Sequence, residues 1–269
     1  MIKVIFHGVR GSRACPGPEY LAFGGNTSCV EVATERVRVL FDAGTGLSRV
    51  ACRGDSRPIV LLLSHSHYDH LQGLPFFAPL FDPQGPAVEV YGPSGNRDGF
   101  KRLLSRFMDP RFLPFTIEAF VNPKLSLSTL RSCSTPTLLF SKKGVTLHSL
   151  HLPAHPRQGV FLFSLSSGGR KVVYASDIEL DASMEERAQP FLQGADLAIL
   201  DSHYRESDLK VGYGHSSFLR AYSLTRLASV KRTFFFHFAP EMVDSLLEEE
   251  RVKWLGRAEM AREGLEVEL

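Results

Sequence analysis

The sequence predicts an α/β fold in which two β layers are flanked by helices, and three observations predict it. Short runs rich in Val, Ile and Phe recur along the chain and are parted by Gly-bearing turns, which is the pattern of strands. The run PIVLLLSH (58–65) is apolar throughout, as a strand buried on both faces is. Between such runs stand stretches whose apolar residues recur at helical spacing. Sheets that bury both faces need a second layer on each side, and one domain of two β layers covered by helices is the economical solution.

In chain order, IKVIF (2–6), SCVEVA (28–33), VRVLFDAG (37–44) and PIVLLLSH (58–65) read as strands. A helix is expected at 69–80 and a strand at AVEVYG (87–92). NRDGFKRLLSRFM (96–108) reads as an amphipathic helix with Phe100, Leu103, Leu104 and Phe107 on one side. Residues 109–143 are interrupted by Pro and aromatic positions (DPRFLPF, VNP, STPT) and read as part of a mixed surface insertion at about 96–143. Strands return at 145–152, 160–165, 171–176, 196–202 and 232–238, with helices at 184–193, 216–228 and 241–263. The last of these would carry Leu246, Leu247, Val252 and Leu255 as its apolar stripe. No repeat or low-complexity linker divides the chain, so residues 1–269 read as a single domain.

Composition narrows the class. The 269 residues carry 31 Lys and Arg against 29 Asp and Glu, a net charge of +2, which argues against a protein built to coat nucleic acid. Apolar residues at 43 % and charged ones at 22 % are ordinary for a globular chain. The four cysteines, Cys15, Cys29, Cys52 and Cys133, form no Cys-x-x-Cys pair, which excludes a zinc ribbon and gives no disulfide framework. The N-terminal MIKVIFHGVRGSR lacks the apolar stretch of a signal peptide, and no window approaches a membrane span. A cytoplasmic location with no membrane contact is the expectation.

The chemistry concentrates in Ser64-His65-Ser66-His67-Tyr68-Asp69-His70, directly after the buried strand. Three imidazoles and a carboxylate within six positions are improbable by chance in a chain with ten histidines. In a tight loop, His65 and His67 can grip one cation while Asp69 and His70 grip a second beside it. Such ligands suit Zn²⁺, and also Mn²⁺ or Fe.

His-x-His-x-Asp-His after a buried strand resembles the hallmark of the metallo-β-lactamase-fold hydrolases, and the resemblance runs across nearly the whole chain. It implies an αββα four-layer sandwich of two mixed β-sheets flanked by helices. It further implies a third histidine, matched by His155 in Pro153-Ala154-His155-Pro156, and an Asp bridging both metals, matched by Asp177. A last histidine is matched by His237, and Asp42 in LFDAGTG matches an Asp that supports the metal loop without ligating. His65, Asp177 and His237 each close an apolar run, and His155 lies just past another, so the ligands meet only if those strands point the same way. Taken singly, His155 and His237 read more often as hydrogen-bonded structural histidines, and Asp177 as a turn or cap residue. Two divalent metals of this kind, zinc first and manganese or iron otherwise, supply hydrolytic chemistry with no covalent nucleophile.

Tyr213-Gly214-His215-Ser216-Ser217 resembles the Gly-His-Ser-Thr/Ser element of the phosphodiesterase branch, which includes ribonuclease Z and the cyclic-nucleotide phosphodiesterases. There the histidine is not a ligand but faces the phosphate, so the resemblance implies that His215 protonates the leaving oxygen. Asp201 stands ready to orient it. The plainer reading makes Ser216 or Ser217 a helix cap and His215 incidental. The stretch ELDASMEERAQPFLQGAD after Asp177 is short and acidic, unlike the basic tRNA-holding arm of ribonuclease Z. The loops Gly11–Arg13 with Pro16–Pro18, Phe23–Ser28 and Gly-Leu-Pro-Phe-Phe (73–77) resemble a small-substrate subgroup that includes anti-Pycsar proteins, although both Gly-rich loops read equally as turns. Arg97, Lys101, Arg102, Arg106 and Arg111 interleave with Phe100, Phe107, Phe112 and Phe115, as a substrate lid would, or a helix with a solvated basic face.

The expected function is thus cleavage of a small phosphodiester such as a cyclic nucleotide, with Asp69, His215 and Asp201 as catalytic residues. The expected metal ligands are His65, His67, Asp69, His70, His155, Asp177 and His237. A tRNA 3′-processing endonuclease, a thioester or lactone hydrolase and a non-catalytic metal sensor are the alternatives. A homodimer is implied by the resemblance alone.

Overall fold

Two seven-stranded sheets follow one plan, three antiparallel pairings and then three parallel ones. The computed structural model describes residues 1–94 and 99–269. In the first sheet β14 (Glu266–Glu268), β1 (Lys3–Gly8), β2 (Cys29–Ala33) and β3 (Arg38–Phe41) run antiparallel. β4 (Ile59–Leu62), β5 (Val88–Gly92) and β6 (Leu125–Thr129) then continue parallel to β3. The second sheet begins with antiparallel β7 (Thr137–Lys142), β8 (Val145–Leu152), β9 (Val160–Ser167) and β10 (Arg170–Ala175). It ends with parallel β11 (Leu197–Asp201), β12 (Arg232–Phe236) and β13 (Glu259–Met260).

The sheets face one another through aromatic side chains. Phe41 stacks on Phe163 and Tyr174 at centroid distances of 5.9 and 5.1 Å, and Phe6 meets Phe234 at 5.2 Å. The alternation along RTFFF shows why β12 is apolar on both sides. Phe234 and Phe236 point to the first sheet, whereas Phe235 meets Phe218 and Trp254 among the outer helices. α1 (Gly99–Phe107) covers the outer face of the first sheet with Phe100 and Leu104, as its spacing predicts. α2 (Ala182–Leu192), α3 (Phe218–Leu227) and α4 (Asp244–Lys253) lie on the side of the second, giving the α/β four-layer arrangement expected. No helix among the described residues is long and apolar enough to cross a membrane.

Four expectations change. The helix expected at 69–80 is three 3-10 turns, Tyr68–His70, Leu74–Phe76 and Ala78–Leu80, because Pro75 and Pro79 forbid a continuous α ladder. The helix expected at 241–263 stops at Lys253; Gly256 turns at φ +76° and β13 joins the sheet edge. Of its expected stripe Leu247 is buried but Val252 and Leu255 are exposed, and Trp254 packs instead, on Tyr222 and Phe235. Within 96–143 lie β6 and β7, one edge strand of each sheet, where strands were not expected. Arg97 and the start of the helix expected at 96–108 lie outside the described residues.

Candidate metal centre

All seven side chains expected to ligate, together with Asp42, Asp201 and His215, gather at one edge of the sandwich. β8 and β10 are both antiparallel to β9, so they point the same way, and β10 is parallel to β11 and β12. The residues just past β8, β10, β11 and β12 therefore emerge together, as do those past the parallel β3 and β4. The chain turns sharply there. Asp42, Asp177 and His237, each directly or almost directly after its strand, have φ of +61°, +55° and +63°. Left-handed backbone at a non-glycine residue is disfavoured and is held here by the surrounding strands, as strain at functional sites commonly is.

The atoms sort into two clusters around Asp177. His70 Nε2 lies 3.1 Å from Asp177 Oδ2, 3.3 Å from Asp69 Oδ2 and 3.2 Å from His237 Nε2. His237 Nε2 lies 3.2 Å from Asp177 Oδ2 and 3.4 Å from Asp69 Oδ2. A tetrahedral ion with bonds of about 2.0–2.1 Å has ligand–ligand edges of about 3.3–3.4 Å, so these four atoms stand at coordination spacing. On the other side Asp177 Oδ1 faces His65 Nε2 at 3.7 Å and His155 Nε2 at 4.0 Å, and His155 Nε2 is 3.0 Å from His67 Nδ1. His65, His67 and His155 form one group able to hold a metal ion; Asp69, His70 and His237 form another. His65 Nε2 is buried with no hydrogen-bond partner, the state expected of a nitrogen reserved for a ligand bond. His67 alone is exposed, at the mouth.

Neighbouring groups fix which nitrogen each ring presents. His155 Nδ1 meets Gly214 O at 2.9 Å, His70 Nδ1 meets Asp42 Oδ2 at 2.8 Å, and His65 Nδ1 meets Ser64 Oγ at 3.1 Å. Each leaves Nε2 pointing inward. Asp42 is itself held by the Ser64 amide and hydroxyl at 2.7 and 2.9 Å and by the Tyr174 hydroxyl at 2.7 Å.

Electrostatics divides the rings. Burial, with His70 nearby, pushes His65 well below the ordinary imidazole range, and burial also lowers His67 and His155, leaving neutral rings with lone pairs to give. Burial alone would lower His237 too, but Asp177, Asp201 and Asp69 push it up to about 10. His70 rises for the same reason, through Asp177, Asp69 and Asp42 against burial. Burial would raise Asp177, yet His237, His70 and His65 hold it well below the carboxylate range. The carboxylates thus demand positive charge, which protons on His70 and His237 supply and a divalent cation would replace.

His215 stands beside these clusters, differently engaged. Its Nδ1 is 2.8 Å from Asp201 Oδ2 and 3.8 Å from Asp177 Oδ1. Asp201 is wholly buried and also accepts the amides of Asp177, His203 and Ser216 at 3.1, 3.1 and 3.0 Å. Burial works against its charge, but His215 and His237 hold it below the usual carboxylate range. Ser217 caps α3, accepting the Arg220 amide, so the cap and the histidine are separate features of one motif.

Four further contributors were not assigned from the sequence. His203 stacks flat on His215 at 4.1 Å and 13° while its Nδ1 meets His237 O at 3.0 Å; burial, His215 and His237 lower its pKa to about 3. Its proximity to Asp201 in sequence was the available signal. The Ser12 amide donates to Asp69 Oδ2 at 2.7 Å, which residue identity does not encode. Tyr174, a hydroxyl amid VVYA, was legible as a buried polar group needing a partner. Gly11 admits these rings closely, since a Cβ there would lie 2.5 Å from the His237 ring.

Comparison with known proteins places this geometry in a family. The chain is 25 % identical over an alignment of 303 positions to the ribonuclease Z of Picrophilus torridus, covering 98 % of this chain and 94 % of that protein. Its fold is similar to the short form of human tRNase Z (TM-score 0.72, 21 % identity, 99 % and 98 % of the chains). It is similar also to a diphosphatase from the PhnP family (TM-score 0.71, 18 % identity, 100 % and 97 % of the chains). The family model for the Beta-lactamase superfamily domain matches residues 37–238, from the residue before β3 to the residue after His237. The chain belongs to that family and is a metal-dependent hydrolase of the metallo-β-lactamase fold.

Proposed function

We propose that the chain hydrolyses phosphodiesters, using two divalent cations held on either side of Asp177. His65, His67, His155 and Asp177 would hold the first; Asp69, His70, Asp177 and His237 the second. Bound there, the cations supply Lewis-acid charge and an acidified water. What remains for the chain is to orient the ester and protonate the oxygen that leaves. The observation that carries this reading is His215, an imidazole against the cluster whose Nδ1 is committed to Asp201. Its Nε2 makes no hydrogen bond among the described residues and is the nitrogen left to give a proton to the departing oxygen.

A small diester, such as a cyclic nucleotide, is the favoured substrate class. Between β10 and β11 the chain passes through α2, capped by Asp181, rather than through a basic arm suited to tRNA. The likeness to ribonuclease Z supports cleavage of precursor tRNA as the second reading. The fuller reading is a cytoplasmic homodimer working with zinc, or with manganese or iron. Metal analysis and gel filtration test those parts.

Turnover of bis-p-nitrophenyl phosphate, of the four common cyclic mononucleotides and of precursor tRNA is compared with added Zn²⁺ or Mn²⁺. Small diesters are expected to be cleaved and precursor tRNA spared; the reverse selects the second reading. His215→Ala should lower turnover roughly a hundredfold or more on esters with poor leaving groups, at unchanged metal content. Loss of metal in that variant would make His215 a ligand and end the proposal.

A further inference from the structure

The loop that delivers His215 is held by a carboxylate that the scheme above leaves unused. Glu179, two residues past Asp177, accepts the Gly212 amide on Oε1 and the Gly214 amide on Oε2, each at 2.7 Å. Both glycines are left-handed, with φ of +84° and +85°, and this turns alternate amides toward one side as an anion cradle. A charged acceptor on two amides is among the stronger hydrogen-bond arrangements. The Gly214 carbonyl then accepts His155 Nδ1 at 2.9 Å, so Gly214, the residue before His215, is held at both its amide and its carbonyl. Ser216 continues the seam: its hydroxyl donates to Ile178 O at 2.6 Å and accepts the Leu180 amide at 3.1 Å. Residues 206–208 and 210–213 before it are exposed, with Tyr213 63 % and Val211 77 % accessible, so little else restrains this end of the loop.

Resting on the reading of His215 as proton donor, we propose that Glu179 is a positioning residue for that donor. It ties the backbone that carries His215 to the strand end that carries Asp177, fixing the acid relative to the metals and the leaving oxygen. A misplacement of the order of 1 Å is enough to cost a catalytic group much of its effect. Glu179 is linked to a ligand ring only through Gly214, whose carbonyl meets His155 Nδ1, and the His65 and His70 rings keep partners of their own, so its removal should leave metal content unchanged.

The test uses two esters of one shape whose leaving groups differ in need of a proton, bis-p-nitrophenyl phosphate and diphenyl phosphate. Glu179→Ala should lower kcat on diphenyl phosphate roughly tenfold, and on the nitro ester by less than about twofold, with KM and metal content unchanged. Glu179→Gln, which keeps one acceptor, should fall between. Gly212→Ala attacks the cradle from the other side, since its Cβ would meet nothing within 4 Å and only its φ is strained. It should show the same dependence on leaving group. Glu179→Ala in a His215→Ala background should cost nothing further on diphenyl phosphate. Equal losses on both esters, lost metal, or additive losses in the double variant would overturn the role. If His215→Ala shows leaving-group dependence and Glu179→Ala does not, Glu179 alone is excluded. If His215→Ala shows none, the proton-donor reading fails and this one with it.

Discussion

Asp42 and Asp177 occupy equivalent places in the two sheets and do different work. Each follows the strand at which antiparallel pairing gives way to parallel pairing, β3 and β10, and each turns at nearly the same φ, +61° and +55°. Asp42 is saturated, with the Ser64 amide and hydroxyl, the Tyr174 hydroxyl and His70 Nδ1 all at 2.7–2.9 Å. Asp177 receives one short hydroxyl bond, from Ser176 at 2.6 Å, and turns its oxygens toward ring nitrogens of His65, His155, His70 and His237. One backbone device thus presents a saturated carboxylate in one half and a carboxylate turned toward four imidazoles in the other. The residues that close or follow the next strand differ, His65 to His70 after β4 and Asp201 to His203 at the end of β11. At the opposite edge the halves match again. Asp55 before β4 and Asp196 before β11 each sit in ion pairs, with Arg57 and with Lys231 and Arg170.

The contrast breaks most plainly at Asp177. Asp177→Asn should remove metal and cut diesterase turnover roughly a thousandfold, since an amide cannot serve both clusters; elemental analysis and initial rates read it. Asp42→Asn should instead weaken metal affinity about 10–100-fold, with activity returning as metal is added. Equal damage from both would show the two carboxylates to be functionally alike. Chelation with EDTA should lower Tm by roughly 5–10 °C in calorimetry, as expected for an ion present at about 100 times its Kd.

The smallest effects are at the far edge. The hydrogen bonds of Arg57 lower Asp55 to about 2, and Lys231, the Lys171 amide and Arg170 lower Asp196 to about 2 against its burial. A depressed carboxylate stabilises the fold above its unfolded pKa, and that stability is lost as pH falls through the folded value. Asp55→Asn and Asp196→Asn should therefore each cost about 1 kcal/mol near pH 6 in urea melts, with the difference closing between about pH 4 and pH 2. Activity should be unchanged.

Legibility differed by kind of interaction. His65, His67, Asp69 and His70 were plain because one loop carries them; His155, Asp177 and His237 were picked out by the resemblance, with their places at or past the ends of apolar runs agreeing with it. β6 and β7 were not, since as edge strands they are half-exposed, and LSLST and TLLFSK give weak alternation among prolines. The 3-10 turns at 68–80 mimic helical spacing, and only the weight given to Pro75 and Pro79 separates the two. The Gly212–Gly214 cradle was invisible for another reason: its binding atoms are backbone amides, turned by φ rather than named by side chain.

The amino-acid sequence determined the class of fold and the loop of histidines and aspartate at 65–70, and through its resemblance to a family the other candidate donors and the His215 motif, because hydrophobic period and residue type are written locally. Which nitrogen each ring presents, which aspartate is saturated and which faces the imidazoles, and what holds the His215 loop were decided only when the ends of β3, β4, β8, β10, β11 and β12 met at one edge. Those properties belong to distances of about 3 Å between residues far apart in the chain, and no local pattern records them.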